Sequence, residues 1–440
     1  MFKFTNDQSN TRASKFSSLA LHSALSLGIN LRNTDGSIYD ASKEARSRLW
    51  WSVFTLEHLL TSMHGRASCV GDNLCSVPLP MPYEEESFND LEVQRLLQDP
   101  TLRENQLRGV IFETQTQRKN PSSWILSCDP SPSLFFYYLV DLTLISQAVL
   151  NKVYSIEGIR EGTSQTEHRI QSYGRSLDRW KSKLTPSYDF TLPDAGPWHV
   201  NPNIDDDTVP YRRERVSLAM NYYSARILLC RPCLTQSPGS MNSSPNPLNL
   251  LDNPQPSPRA KLRAEMATSC LQAACSLISI MPNTPHLPWI SQSTPWWSVL
   301  HFLMQATTAI LLGLSYCSFA TPPLNASLAK SSGSSSRSSS NTPSSLLRPL
   351  LEVDLGTMVS HTKKAFSWIH AMADVDPAAR RAFLLCDNLL QKLAPCLNLD
   401  LDEWPSVDTL TGSDKEMDDR TSRLDELVDF EGGTSDGYFD

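Results

Sequence analysis

A chain of 440 residues, 40% apolar and 20% charged, has enough apolar content for a large buried core, which excludes a wholly disordered chain and a polytopic membrane protein. Seventeen glycines against 30 prolines argue against phosphate-cradling loops and β-hairpins and for helices that prolines stop. The net charge of −8 gives no global basic field for nucleic acid, and it is uneven: residues 400–440 hold 14 acidic and 3 basic side chains, a charge of −11, leaving the first 399 residues at +3.

The opening MFKFTNDQSN has no signal-peptide character and the ten cysteines are scattered, so a reducing intracellular compartment is expected. The first helix, SKFSSLALHSALSLGI, starts near Met1 and leaves little room for an upstream domain. It places Phe16, Leu19, Ala20, Ala24 and Leu27 on one face before Gly28 ends it. A second helix, capped by Asp40 or Ser42, carries the stripe Leu49, Val53, Leu56, Leu60 and Met63, which Trp50 and Phe54 widen, and stops at His64 and Gly65. The proline-set CSVPLPMP is expected to run extended across the surface of the bundle.

Apolar periodicity predicts further helices over 91–102, 134–154, 169–184, 213–230 (stopped by Pro232) and 262–281 (stopped by Pro282). Met266, Cys270, Ala274, Leu277 and Met281 share one face of the last. Thr294 and Pro295 cap a strongly apolar helix around 296–314, expected at the centre. The membrane-like stretch His301 to Ala320 contains Gln305, Thr307, Thr308 and Ser315 and reads as a core helix. A helix with Leu355, Val359, Phe366 and Ile369 follows, then one opened by Asp376 and Pro377, and Pro395 closes the bundle. No stretch alternates with a period of two, so the fold class is an all-α multi-helix bundle over residues 1–396. Low-complexity inserts at 236–259 and 321–345 lack the apolar content to offset ordering entropy, and charge repulsion is expected to keep an acidic tail at 397–440 open.

Reactive chemistry has little to stand on. GxGxxG, GxxxxGK[ST] and HExxH are all absent from the sequence. A helical metal-dependent enzyme is the rival reading. Its candidate carboxylates, Asp205, Asp206 and Asp207, lie between Pro202 and Pro210 in a loop, where a capping acidic turn accounts for them. Cys230 and Cys233 form a CxxC without a second ligand pair, and Cys270 and Cys275 lie on different faces of a helix. His58 and His64 are split between helix faces, which argues for core or cap duty. The runs Tyr211 to Arg215 and Lys363-Lys364 read as solvated faces. No catalytic, metal or cofactor-binding residue is assigned, and no cofactor is expected. The tail sets Leu401, Trp404, Leu410, Leu424, Leu427, Val428 and Phe430 among carboxylates, the pattern of an activation segment, and composition alone fits a plain solubilising tail equally well. On the activation reading, Ser422 caps a short helix presenting Leu424, Leu427 and Val428 to a partner's groove.

The run EARSRLWWSVFTLEHLLTSMHGRASCVGDNLCSVPLP resembles the signature of the fungal-specific transcription factor domain, the helical middle region of zinc-cluster regulators. Arg46, Arg48, Leu49, Trp50, Trp51, Gly65, Arg66, Val77, Pro78, Leu79 and Pro80 match, and Ala67 departs from the usual proline. Downstream, NYYSARILLCRPCL resembles the family's helix end, with Arg231 and Pro232 in the Arg-Pro positions, and CLQAACSLISIM and PWWSVLHFLMQATTAILL follow in family order, so the resemblance covers about residues 14 to 395.

The resemblance implies a nuclear, non-enzymatic regulator of RNA polymerase II transcription. Its helical domain gates activity, with a small-molecule effector between helices as a possible input, and its tail (Leu424, Leu427, Val428, Phe430) meets the transcription machinery. It also implies that the arginines brace the fold. Family members usually carry a Zn₂Cys₆ module, a linker and a coiled coil. None is found in this sequence, and the early part of the middle domain that normally precedes the LALHSALSLGINL helix is expected to be missing too. That leaves a truncated reading frame or a paralogue acting without its own DNA contact, as an interaction-only partner in a homo- or hetero-dimer with DNA-binding relatives. DNA is then reached only indirectly, and no membrane partner is expected.

Overall fold

The computed structural model describes residues 8–33, 35, 40–66, 70–71, 75–113, 124–155, 158, 160, 162–191, 211–235, 258–293, 296–320 and 353–410. Among them the chain is helical without a strand. The expected cap at Thr294 and Pro295, the Asp205 to Asp207 turn, most of both inserts and the anchors Leu424, Leu427, Val428 and Phe430 lie outside the described residues.

Helices α1 (Gln8–Ser26) and α2 (Asp40–His64) pack antiparallel: Arg66 Nη1 donates to Ser14 Oγ at one end, and Arg46 Nη2 to the Leu27 carbonyl at the other. Both end on a glycine with φ of +62°. Gly28 N–H donates to the Leu25 carbonyl and Ile29 N–H to that of Ala24; Gly65 and Arg66 repeat the pattern to Ser62 and Thr61. This double bond closes a helix only when the residue after it adopts a left-handed backbone, which glycine does at little cost.

The faces of these helices differ from the expectation. On α1 the buried side chains are Ser17, Leu21 and Ala24, while Phe16 is 70% exposed and Leu19 and Leu27 also face outward. On α2 the expected aliphatic stripe is turned out at Leu49 (52% exposed) and Leu56 (44%). The inward face keeps Leu60 of that stripe and the Trp50 and Phe54 expected to widen it, and adds Glu44, Ser47, Trp51, Glu57, His58, Thr61 and His64. Buried polar groups with partners elsewhere outweigh the aliphatic periodicity here.

The segment expected as one helix over 91–102 is two, α3 (Leu91–Gln98) and α4 (Pro100–Gln106). Pro100 interrupts the first, and the Asp99 carboxylate starts the second by accepting from the Thr101 and Leu102 N–H groups. Ser131 caps α5 (Pro132–Val153), against which α6 (Thr163–Ser182) runs antiparallel through Trp180 Nε1 to the Tyr138 carbonyl at 3.1 Å and Arg169 Nη1 to that of Lys152 at 2.7 Å. Helices α7 (Arg212–Thr235) and α8 (Pro258–Ser279) form a second antiparallel pair, joined by Arg226 Nε to Ser269 Oγ at 3.1 Å and Cys270 Sγ to the Ile227 carbonyl at 3.7 Å. Ala267, Cys270 and Ala274 keep the buried face of α8 thin.

After the short α9 (Leu287–Ser293) comes α10 (Trp296–Ala320), which packs on α7, α8, α11 (Leu355–Ala373) and α12 (Pro377–Leu397). Gly313 lets it approach α8: a Cβ there would stand 2.6 Å from Leu271 Cδ2. The windows 132–153 and 298–316 are long and apolar enough to cross a membrane, and most of each is buried within the body. Among the largest buried side chains are Trp50, Trp180, Trp289 and Trp368, each such burial worth about 2–3 kcal/mol.

Pro232 does not stop its helix, contrary to expectation: α7 continues to Thr235. A proline cannot donate to the carbonyl four residues back, here that of Leu228, and the Tyr154 hydroxyl of α5's end donates to it instead at 2.6 Å. Pro395 likewise lies inside α12, which ends at Asn398 with φ of +51°. Arg259, placed in the first insert by composition, belongs to α8 and pairs with Glu167 of α6 at 2.8 Å. Residues 398–410, expected in the open tail, lie on the body: the Trp404 ring meets Phe366 edge-on at 5.6 Å, and Lys363 pairs with Glu403 at 2.9 Å.

Candidate functional site

The proline-set segment after α2 is extended but not superficial. Leu79, Met81 and Pro82 are buried beneath α2 and α4. Prolines at 78, 80 and 82 remove N–H donors, so the segment joins no sheet and its buried carbonyls need donors from side chains. Ser47 Oγ and Trp51 Nε1 both donate to the Pro78 carbonyl, at 2.9 and 2.8 Å. Arg103 Nη2 of α4 donates to the Leu79 carbonyl at 2.7 Å, and Arg48 Nη2 to that of Tyr83 at 2.6 Å.

Glu44 organises these donors. It is buried; its Oε1 accepts from Met81 N–H at 2.8 Å and Arg48 Nε at 3.2 Å, and its Oε2 from Arg103 Nη2 at 2.5 Å. The Arg48 guanidinium also sits 5.4 Å above the Phe88 ring. Periodicity singles out neither Glu44 nor Arg103. The signal for the first is its i,i+4 relation to Arg48; nothing local signals the second.

Two cavities adjoin this corner. The larger, of about 550 Å³, has walls from Trp51, Phe54, Pro78, Leu107, Phe112 and Leu144; the smaller, of about 250 Å³, shares Arg32, Val77, Pro78 and Arg103 with it. Gly109 and Phe112 belong to the larger cavity's rim, and behind them Val110 N–H donates to the buried Asp141 Oδ1 at 2.9 Å. Burial lifts the Asp141 carboxyl to about 6, and Lys183 partly offsets that lift.

The sequence-predicted residues separate as follows. Arg48, Trp51 and Pro78 meet in the corner, which Trp50 backs from the core and where Pro80 is buried. Arg46, Gly65 and Arg66 hold the α1–α2 ends, and Leu49 faces outward. Arg231 and Pro232 lie far along the chain in the last turns of α7, away from the corner's partners.

Other candidate ligands are spent on structure. Burial pushes the Cys230 and Cys233 thiols up to about 11 and 12 and raises that of Cys270 well above its ordinary value, so these are unreactive thiols at neutral pH. Among the described residues no His, Cys, Asp or Glu group is arranged to hold a metal ion. His58 Nδ1 shares a 2.7 Å hydrogen bond with Gln147 Oε1, and His64 Nδ1 one of 2.5 Å with the Leu60 carbonyl. His301 of α10 lies close enough to both to feel their charge: burial first, and these two neighbours second, press it down to about 4. Lys364, expected to be solvated, reaches the Ser279 carbonyl, and burial lowers it to about 8.

The chain is 43% identical over 411 residues to transcription regulator galc of Aspergillus niger, covering 92% of this chain and 46% of that protein. It is 22% identical over 263 residues to an uncharacterized transcriptional regulatory protein of Schizosaccharomyces pombe (60% of this chain, 25% of that one) and 31% identical over 84 residues to a negative regulator of pleiotropic drug resistance of Candida glabrata (18% and 8%). The chain thus spans less than half the length of each. No solved structure matches it. The family described as the fungal-specific transcription factor domain matches over residues 2–182, from α1 through α6, which includes the corner and excludes Arg231 and Pro232. Residues 2–182 of this chain are therefore a fungal-specific transcription factor domain.

Proposed function

We propose that the chain is a nuclear transcription regulator whose helical body gates, and whose acidic tail delivers, activation of RNA polymerase II genes. The observation that carries this reading is the domain match over residues 2–182, together with relatives that are named as regulators. Arg48 and Arg103 of the corner are held by internal carboxylate and carbonyl partners, which favours a scaffold over a surface that reads bases. DNA is then reached through a partner, and pairing with a DNA-binding relative supplies it. A small-molecule effector between the helices supplies the gate, and the domain works without catalysis and without a cofactor of its own.

Fusing residues 411–440 to an unrelated DNA-binding domain tests the tail. The expected result is a reporter signal that Leu424→Ala, Leu427→Ala and Phe430→Ala together remove. A silent fusion, or one indifferent to the three substitutions, rejects the activation reading. Co-purification of the tagged chain with a zinc-cluster relative, and its loss when the helical body is deleted, tests the pairing.

A further inference from the structure

We propose that the larger cavity is a binding site for a small organic anion with an apolar body, its acid group anchored by Arg108 beside Arg103. This deepens the regulatory reading by naming the effector's chemical class and its seat, and it rests on that reading for its role in gating.

The walls carry four cationic side chains, Arg32, Arg103, Arg108 and Lys152, against one carboxylate, Glu104, which Arg32 already engages. Arg108 is half-buried and makes no ion pair or hydrogen bond among the described residues. Arg103 is only 7% exposed; its Nη2 is held by Glu44 and the Leu79 carbonyl, yet its Nε has no partner. A guanidinium drawn out of water without an acceptor is unfavourable, and a carboxylate, sulfonate or phosphate ester entering the cavity supplies the missing acceptor in a geometry matched to the guanidinium fork.

Between these cations the surface is apolar, from Trp51, Phe54, Leu107, Phe112 and Leu144. The volume of about 550 Å³ falls within the roughly 300–1,000 Å³ of small-molecule sites. A bare inorganic anion leaves that surface wet, and a neutral hydrocarbon leaves Arg108 unpaired, so an acid joined to a ring or branched chain fits best. The site also has a lever. Trp51 and Pro78 are wall residues hydrogen-bonded to each other, and Arg103 ties α4 to Glu44 of α2, so an anion competing for Arg103 acts on the joint between the two helices.

Calorimetry on the purified full chain tests this with 1-naphthaleneacetate, its neutral amide and inorganic phosphate as probes. The expected result is one site per chain for the acid, about tenfold tighter than for the amide, with phosphate not competing. Arg108→Met is expected to bring the acid down to the amide's affinity while leaving the amide within about twofold. Ala148→Phe, which fills the cavity from α5, is expected to abolish both while leaving the unliganded chain's unfolding temperature unchanged. Absence of acid binding, equal affinity for acid and amide, or an Arg108→Met chain that binds like the parent overturns the proposal. Should Ala148→Phe unfold the protein, Arg108→Met, at a half-buried side chain with no ion pair to lose among the described residues, still decides. The readout involves no transcription, so a bound acid alongside a silent tail fusion rejects the activation reading alone, and an active fusion alongside an empty cavity rejects the site alone.

Discussion

Glu44 is buried and accepts from three donors, and this makes Arg103 a sensitive position. Arg103→Met removes the charge that compensates a buried carboxylate and leaves the Leu79 carbonyl without a donor; the loss is expected at about 3 kcal/mol of unfolding free energy, read as a lower urea midpoint. Glu44→Gln added to it is expected to cost less than the sum of the two single changes, since an amide tolerates the missing cation. Asp141 behaves in the opposite sense. Its carboxyl titrates at about 6 in the fold against about 3.9 in an unfolded chain, so the fold holds the extra proton between those values. Its contribution is fully present below about 4 and is lost as pH rises through 6. Asp141→Asn keeps an acceptor for Val110 N–H and is expected to raise stability at pH 7 by about 1–2 kcal/mol, a gain that vanishes toward pH 4 in urea titrations. At this scale the sequence shows the motif residues Arg48, Trp51 and Pro78, whereas the Glu44–Arg103 pair spans 59 residues and no local pattern marks it.

Helix existence follows from periodicity and caps, as Asp376 at the start of α12 and Gly28 and Gly65 at the ends of α1 and α2 illustrate. Which face turns inward follows only where the apolar residues do the burying. On α8, Cys270, Ala274 and Leu277 are buried as their spacing implies, as is Met281 just past its end, with Met266 half-buried. On α2 the inner face is half polar, because Ser47, Trp51, His58 and Glu44 have partners in the extended exit and in α5, so the aliphatic stripe misleads. Pro232 misleads for a related reason: a stop signal fails when another element supplies the missing donor. Tyr154→Phe withdraws that donor and is expected to destabilise the chain by about 1–2 kcal/mol. In a Pro232→Ala background the helix regains its own N–H for the Leu228 carbonyl, so there the same change is expected to cost only a few tenths. Equal costs in both backgrounds would show that the hydroxyl does not substitute for the helix bond.

Across the whole molecule, α2, α5 and α10 meet where His58, His64 and His301 gather, and this junction joins the family domain of residues 2–182 to the helices beyond it. The tail's first stretch closes the far side, with Trp404 on Phe366, where its charge had suggested an open chain. Burial holds His58 below its ordinary value and His301 down to about 4, with Gln147 and Glu57 working the other way on His58. An unfolded chain takes up these protons near pH 6.5, and the folded one resists them until lower pH, so the unfolded state binds more protons in between. The histidines' contribution to stability is therefore expected to be fully present above about pH 6.5 and to be lost as pH drops toward 4, by about 1–3 kcal/mol from His301. His301→Gln, which cannot titrate, is expected to flatten the fall in urea midpoint between pH 6.5 and 4.5, whereas Asp141→Asn, by removing a contribution of opposite sign, steepens it. A His301→Gln chain whose midpoint declines as steeply as the parent's would place the acid sensitivity outside this junction.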